Sequence, residues 1–171
     1  MNIPILGPLK PHPDIPEWLV SEPLQIQYFD DLKLTVTLDG LEDADAHDVE
    51  RAVDAFFKLG AKDRLAASQY VFENYRKMAD LVYEDDLGCR IDLKEEVWSH
   101  VHASEIFISK RHRRDRAIYI SITAACDWER EHGLQIIYRS GAKLSRVSAQ
   151  DGHLTHTDAY NLPEDQDKIV S

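Results

Sequence analysis

The residues with the most chemistry in this chain lie at 126–134, where a thiol, an indole, three carboxylates and an imidazole fall between two predicted strands. Asp127 and Glu131, with His132 beside them, could perform general acid–base catalysis if one of them were buried with a shifted pKa. A small enzyme with its site around these three residues is therefore one hypothesis. A tight turn has the same requirements, because acidic side chains bond turn backbone and Gly133 can take a positive φ.

We favour the structural interpretation of this stretch. In it, the carboxylates of Asp127 and Glu131 accept hydrogen bonds from backbone donors, and Trp128 packs over the end of the sheet. Trp128 is also the aromatic candidate for contact with a binding partner. Cys126 could act as a nucleophile with His132 as its base, but it ends a strand and is followed by an acid, so no positive charge lowers its pKa. The pattern therefore favours a buried thiol.

Histidines pair at two spacings that could present their imidazoles together, His100 with His102 and His153 with His156. A zinc site needs three or four ligands held in tetrahedral geometry. The two pairs lie on different elements, and neither has a nearby cysteine pattern. We therefore predict no metal site. Glycine is too sparse for a phosphate-binding loop, so no cofactor is predicted either.

One basic island interrupts this acidic chain, at residues 110–116, where it would form the tip of a hairpin. Arg113 and Arg114 are the candidates there for contact with a partner, because clustered arginines neutralise phosphates. The aromatic residues that a reader of single-stranded nucleic acid places among its arginines are missing. The pattern therefore disfavours nucleic acid and favours a solvated loop that docks on the protein's own acidic surface.

Composition limits the class of protein. The chain has 171 residues, of which 43% are hydrophobic and 30% charged, as is typical of one globular domain with its own core. Its net charge of −11 repels nucleic acid and anionic membranes and attracts a basic partner, although such acidity also serves solubility alone. The chain has two cysteines without a CxxC pattern, no signal peptide and no long apolar window. These features predict a cytoplasmic protein that does not enter a membrane.

Hydrophobic patterning divides the chain into three parts. Residues 1–23 hold six of the seven prolines, which predicts an extended arm that crosses the surface of the domain. Residues 24–158 are predicted to form a single domain. Residues 159–171 are predicted to be a flexible acidic tail.

Within the domain, apolar alternation predicts a hairpin at 24–38. Periods of three and four then predict one helix that ends near Gly60 and a second that runs from 62 to 83, packed antiparallel to the first. A capping pattern at Asp92 and Glu95 predicts a short third helix.

Period two then returns and predicts the strands of a sheet. Antiparallel strands are expected from 104 to 149, with a bulge near Leu144, and a further strand at 154–157. The predicted fold class is α+β: an antiparallel β-meander sheet with an α-hairpin and a short helix packed on one face.

The order of these elements, together with Cys-Asp-Trp followed by Glu-His-Gly-Leu at 126–134, resembles a family of small bacterial proteins of unknown function. The resemblance covers residues 18–158. Families of this kind are found near polymorphic toxin systems, and some members are candidate immunity proteins. The size of the chain, its net charge of −11 and the lack of a catalytic set of residues favour a non-enzymatic cytosolic protein that binds a basic protein partner. With the resemblance, the hypothesis becomes an immunity-like factor whose acidic surface covers a basic site on a toxin. The resemblance carries over no catalytic residue and no cofactor.

Overall fold

An eight-stranded, mostly antiparallel β-sheet carries the fold. The computed structural model describes residues 1–82 and 87–171. The strands are β1 Leu9–Pro11, β2 Leu19–Ser21, β3 Leu24–Ile26, β4 Leu32–Asp39, β5 Val101–Lys110, β6 Ile118–Cys126, β7 Glu129–Arg139 and β8 Lys143–Ser148. They lie in the order β1-β2-β4-β5-β6-β7-β8, and β3 pairs with β4 beside this path. The predicted α+β class is confirmed.

Strand pairing follows the short turns of the chain. β3 and β4 form the predicted hairpin, and β5 to β8 are antiparallel neighbours throughout. The predicted bulge is present, because Ile137 lies opposite Arg146 while Tyr138 lies opposite Leu144. The parallel pairing of β4 with β5 was not predicted. A parallel pair needs a long crossover, which the helices between these two strands supply.

Two α-helices cross from β4 to β5, α1 at Ala46–Phe57 and α2 at Ala61–Ala79. The apolar side chains of α1 that recur every three or four residues are buried, as their spacing predicts; they are Val49, Ala52, Val53 and Phe56. The predicted end of the second helix, Tyr83, lies outside the described residues. α1 packs mainly on β6, whereas α2 packs against the 3-10 helix at Lys94–His100 and against β8. The main contacts of each α-helix are therefore with other elements and not with the other α-helix.

Two predicted elements differ in kind. The short third helix is a 3-10 helix, Lys94–His100, and Glu96 rather than Glu95 caps it by accepting a hydrogen bond from the Leu93 amide. The predicted strand at 154–157 is wrong. The chain instead turns there and enters helix α3, His156–Tyr160, whose Thr155 side chain accepts a hydrogen bond from the Asp158 amide. The short apolar alternation at 154–157 predicted a strand, but Thr155 caps a helix, and the helix is the structure that forms there.

Residues near both ends of the chain pack against the sheet. Ile3 and Leu6 are buried in the core, and residues 9–21 supply strands β1 and β2. At the other end Val170 is 5% exposed and forms a parallel bridge with Val147 of β8. Pro11 lies on the edge strand β1, where a residue without a backbone donor is tolerated.

Close approach of the β7–β8 turn to α1 fixes the helix on the sheet. Gly141 has φ +79°, and a Cβ there would lie 1.9 Å from the carbonyl oxygen of Ala52. Only glycine satisfies both the backbone conformation and the contact. Beneath this helix Phe56 packs against Tyr28 and Tyr138, whose hydroxyl groups are hydrogen-bonded to each other at 2.9 Å.

Candidate functional site

The turn between β6 and β7 brings two histidines onto one carboxylate. Asp127 Oδ2 lies 2.9 Å from Nδ1 of His100, and Asp127 Oδ1 lies 3.0 Å from Nε2 of His102. The Asp127 amide also donates to the His100 carbonyl at 3.1 Å. The pairing of β5 with β6 creates this cluster, because it places Val101 opposite Cys126 and so holds the start of one strand beside the end of the other.

Electrostatics of the His100–Asp127–His102 cluster favour an ionised carboxylate. Hydrogen bonds from His100 and then His102 hold the pKa of Asp127 below its usual range, and burial opposes them. An ionised carboxylate can only accept, so the two contacting ring nitrogens carry the protons. In the neutral imidazoles, Nε2 of His100 and Nδ1 of His102 are then left as acceptors. The cluster can therefore accept or relay a proton at the edge of the sheet.

The other predicted acid–base residues have separate roles. Glu129, not Asp127 or Glu131, accepts the backbone donors of the turn: its Oε1 lies 2.9 Å from the Glu131 amide and 3.3 Å from the His132 amide. Its other oxygen lies 3.0 Å from Nδ1 of His132, and this hydrogen bond raises the pKa of that imidazole. The prediction that Asp127 and Glu131 accept the backbone donors of this turn is wrong. The sequence did not show that the side chains of His100 and His102 bind the Asp127 carboxylate instead.

Two side chains in the same stretch are buried. Trp128 is 4% exposed, and its Nε1 donates to Oδ1 of Asn74 on α2 at 3.1 Å. The Cys126 thiol is buried at 3% exposure, and that burial raises its pKa to about 12. A thiol with so little thiolate at neutral pH is a poor nucleophile. Gly133 has φ +67°, as the turn interpretation predicts.

The basic island docks on the C-terminal segment. Arg111 is 5% exposed and binds Asp158 through Nε at 2.7 Å and Glu164 through Nη2 at 2.7 Å. Arg114 binds the same Glu164 and donates to the Leu162 carbonyl at 3.0 Å. Of the two predicted binding residues on this island, Arg113 is exposed and Arg114 is held by this contact. Arg111 and then Arg114 lower the pKa of Glu164 to about 2.

Histidine pairs do not assemble into a metal centre within residues 1–82 and 87–171. No group of three or more His, Cys, Asp or Glu side chains in this part of the chain has the geometry to hold a metal ion. His153 is exposed, whereas His156 is 7% exposed and stacks near Tyr160 with ring centroids 4.6 Å apart. Burial lowers the pKa of His156.

Comparison with known protein families gives one match. A family model described as a domain of unknown function (DUF6985) matches residues 5–154. The chain belongs to this family. No curated protein and no solved structure matches the chain. The DUF6985 match includes the His100–Asp127–His102 cluster and Arg111, but ends before Asp158 and Glu164, which bind Arg111. The predicted resemblance to a family of unknown function is confirmed at this level.

No membrane-spanning helix is found among the residues that the structure describes, since none of their helices is both long and apolar enough to cross a bilayer.

Proposed function

We propose that this protein is a non-enzymatic binding factor that recognises a basic protein partner through its acidic surface. The observation that carries the proposal is the distribution of charge. The net charge is −11, and in the basic island at 110–116 Arg111 and Arg114 form ion pairs with carboxylates of the same chain. The surface field that remains is acidic, and such a field attracts a positively charged partner.

An exposed acidic segment begins where β4 ends and continues along α1. Its members are all exposed: Glu42 and Asp43 precede α1, and Asp48, Glu50 and Asp54 lie on the exposed face of that helix. Two of these five acids are already neutralised, because Asp43 binds the N-terminal amine and Asp54 binds Lys58. Asp48 and Glu50 are therefore the first choice for contact with a cation of the partner.

In its finer form the proposal is a bacterial, cytoplasmic immunity factor that covers a basic site on a toxin. Small size, acidity and the resemblance of the element order to families near toxin systems support it. Cys89 and Cys126 form no disulfide, which suits a reducing compartment. An immunity protein needs only a complementary surface, and charge complementarity supplies fast association and choice of partner.

The test is a pull-down from the native cell at low and high salt, with bound proteins identified by mass spectrometry. We expect the wild type to retain a basic protein at low salt and to lose it as salt rises, because exposed charges are screened over about 8 Å at physiological ionic strength. A double variant, Asp48→Lys with Glu50→Lys, should lose that protein. The matched control, Glu73→Lys with Asp165→Lys, makes the same charge change at exposed positions elsewhere and should keep it.

Recovery of general chaperones alone, or equal recovery by both double variants, would count against the acidic surface as a binding surface. The immunity form has a further test. Co-expression with a toxin encoded beside this gene should rescue growth, and the Asp48→Lys, Glu50→Lys variant should not.

A second candidate function is a small enzyme with an acid–base site at Asp127. The specific observation in its favour is that Asp127 binds His100 and His102 at once, which leaves two ring nitrogens free to move protons. Turnover of a panel of ester, phosphoester and glycoside substrates by the wild type, lost in His102→Asn, would support it. Glu131 and His132 take no part in this cluster, so His132→Ala should leave any such turnover unchanged.

A further inference from the structure

A cavity of about 230 Å³ lies on the sheet face opposite α1. Its floor is formed by β4 to β7, whose outward residues here are polar. Trp18 and Phe107 form one wall, with their rings in edge contact at 6.1 Å, and the loop at 150–154 forms the other. The cavity is partly open to solvent. Small-molecule pockets usually measure about 300–1,000 Å³, so this volume suits a group the size of one side chain.

Some of the hydrogen-bond acceptors that line this cavity receive no hydrogen bond from the described residues. Gln135 is 4% exposed, and its Nε2 is turned to Ser148 and Asp151 at 2.9 Å each, which leaves Oε1 without a donor among the described residues. Gln150 gives Nε2 to the carbonyls of Ala124 and Leu134, but this residue is exposed, so solvent can reach its Oε1. Among these amides Gln135 is the buried one, and a polar group in a buried residue normally has a partner, so its oxygen favours a ligand that donates.

A carboxylate and a hydroxyl group in the cavity could also bind a ligand. Asp39 accepts one weak hydrogen bond, from Ser109 Oγ at 3.3 Å, and no Lys, Arg or His in the described part of the chain forms an ion pair with it. Ser121 is 7% exposed, and its hydroxyl has no hydrogen-bond partner within the same residues. The ligand must therefore carry several donors and a positive charge.

We infer that this cavity receives a guanidinium group, the head of an arginine side chain of the basic protein partner. Guanidinium presents five donors in a plane and is weakly hydrated, so it fits separated acceptors between aromatic walls better than the compact ammonium of lysine. The inference rests on the proposed function. It also joins the acidic segment to the cavity, since Glu42 follows Asp39 by three residues and their Cα atoms lie within about 11 Å.

The test uses the intact protein and the indole signals of its three tryptophans in nitrogen–proton NMR spectra. The probe is acetyl-Ala-Arg-Ala-amide. We expect it to shift the Trp18 indole and to leave those of Trp98 and Trp128, which donate to Ser68 and Asn74 far from the cavity, in place. The same peptide with citrulline, which keeps the shape but not the charge, should bind at least tenfold more weakly.

Two variants assign the binding to the cavity. Asp39→Asn should weaken binding of the arginine peptide roughly tenfold or more, because it removes the charged acceptor. Asp31→Asn makes the same charge change at an exposed position with φ +64°, a conformation that asparagine tolerates, and should bind the peptide like the wild type. An unshifted Trp18 indole, equal binding of the citrulline peptide, or an unaffected Asp39→Asn variant would overturn the inference.

Further outcomes separate this inference from the function on which it rests. Tighter binding of free L-arginine than of the capped peptide would mean a metabolite site and would overturn docking of a protein side chain. A partner that is lost with Asp48→Lys, Glu50→Lys but kept with Asp39→Asn would overturn the cavity and leave the acidic binding surface standing. Arginine-peptide binding at Trp18 without any salt-sensitive basic partner would support the cavity chemistry and defeat the proposed function.

Discussion

Nδ1 of His100 lies 2.9 Å from Oδ2 of Asp127, and this contact ties the start of β5 to the turn that follows β6. His102, on β5, reaches the other oxygen of that carboxylate. Two kinds of contact therefore stabilise the acidic turn: His100 and His102 bind Asp127, and Glu129 accepts the backbone donors of the turn. From the sequence, the stabilising contacts were predicted for Asp127 and Glu131 alone.

Replacement of Asp127 by Asn should lower the free energy of unfolding at pH 7 by no more than about 1 kcal/mol, because the pair is largely exposed. The folded-state pKa of Asp127 is lowered, so its stabilisation is complete above the ordinary pKa and is lost as pH falls through the folded one. Urea unfolding of both proteins from pH 5 to pH 2 should therefore show their difference shrinking as pH falls. A difference that grows as pH falls would contradict this assignment.

Replacement of Trp128 by Ala should cost about 3–5 kcal/mol, the usual loss when a buried aromatic side chain leaves a cavity. The indole contacts Tyr75, with ring centroids 5.9 Å apart, and binds Asn74. Trp128→Phe keeps most of the ring volume, so it should recover most of this loss. Denaturant unfolding measures both. A cost below about 1 kcal/mol for the alanine variant would mean that the indole is not part of the core.

His132→Ala should leave the fold intact and change stability only slightly, since the imidazole is exposed and, among residues 1–82 and 87–171, forms a hydrogen bond with Glu129 alone. Glu129 raises the pKa of His132, so the stabilisation is fully present below the ordinary pKa of histidine and is lost as pH rises through the folded one. Melting temperatures of the two proteins should therefore coincide at pH 9 and differ most near pH 5. Loss of a binding or catalytic activity in a variant that stays folded would contradict the structural interpretation of His132 and place it in a functional site.

Cys126 should resist thiol reagents in the folded protein. Burial raises its pKa to about 12, which leaves roughly one thousandth of the usual thiolate fraction at any pH below the ordinary pKa of a thiol. Ellman's reagent at pH 8 should label Cys126 slowly in Cys89→Ala, and rapidly once guanidinium unfolds that variant. The matched variant Cys126→Ala leaves the half-buried Cys89, which should react faster in the folded state. Equal rates for the two folded variants would refute the assignment.

The sequence alone determined the elements whose contacts are local. Four apolar residues on one face predicted α1, because a helix repeats every 3.6 residues, and short turns made β5 to β8 antiparallel neighbours. Gly133 was assigned a positive φ from its place in a tight turn. Even the docking of the basic island on an acidic surface followed from opposite charges within one chain.

Only the tertiary structure decided which distant residues meet. Three contacts join positions that are far apart in the chain. They are the parallel pairing of β4 with β5, the hydrogen bonds of His100 and His102 to Asp127, and the ion pair of Arg111 with Glu164. Hydrophobic period reports which face of an element is buried, but not which other element covers it. The cavity beside Trp18 exists for the same reason, since strand register and a remote loop place its acceptors on one face of the sheet.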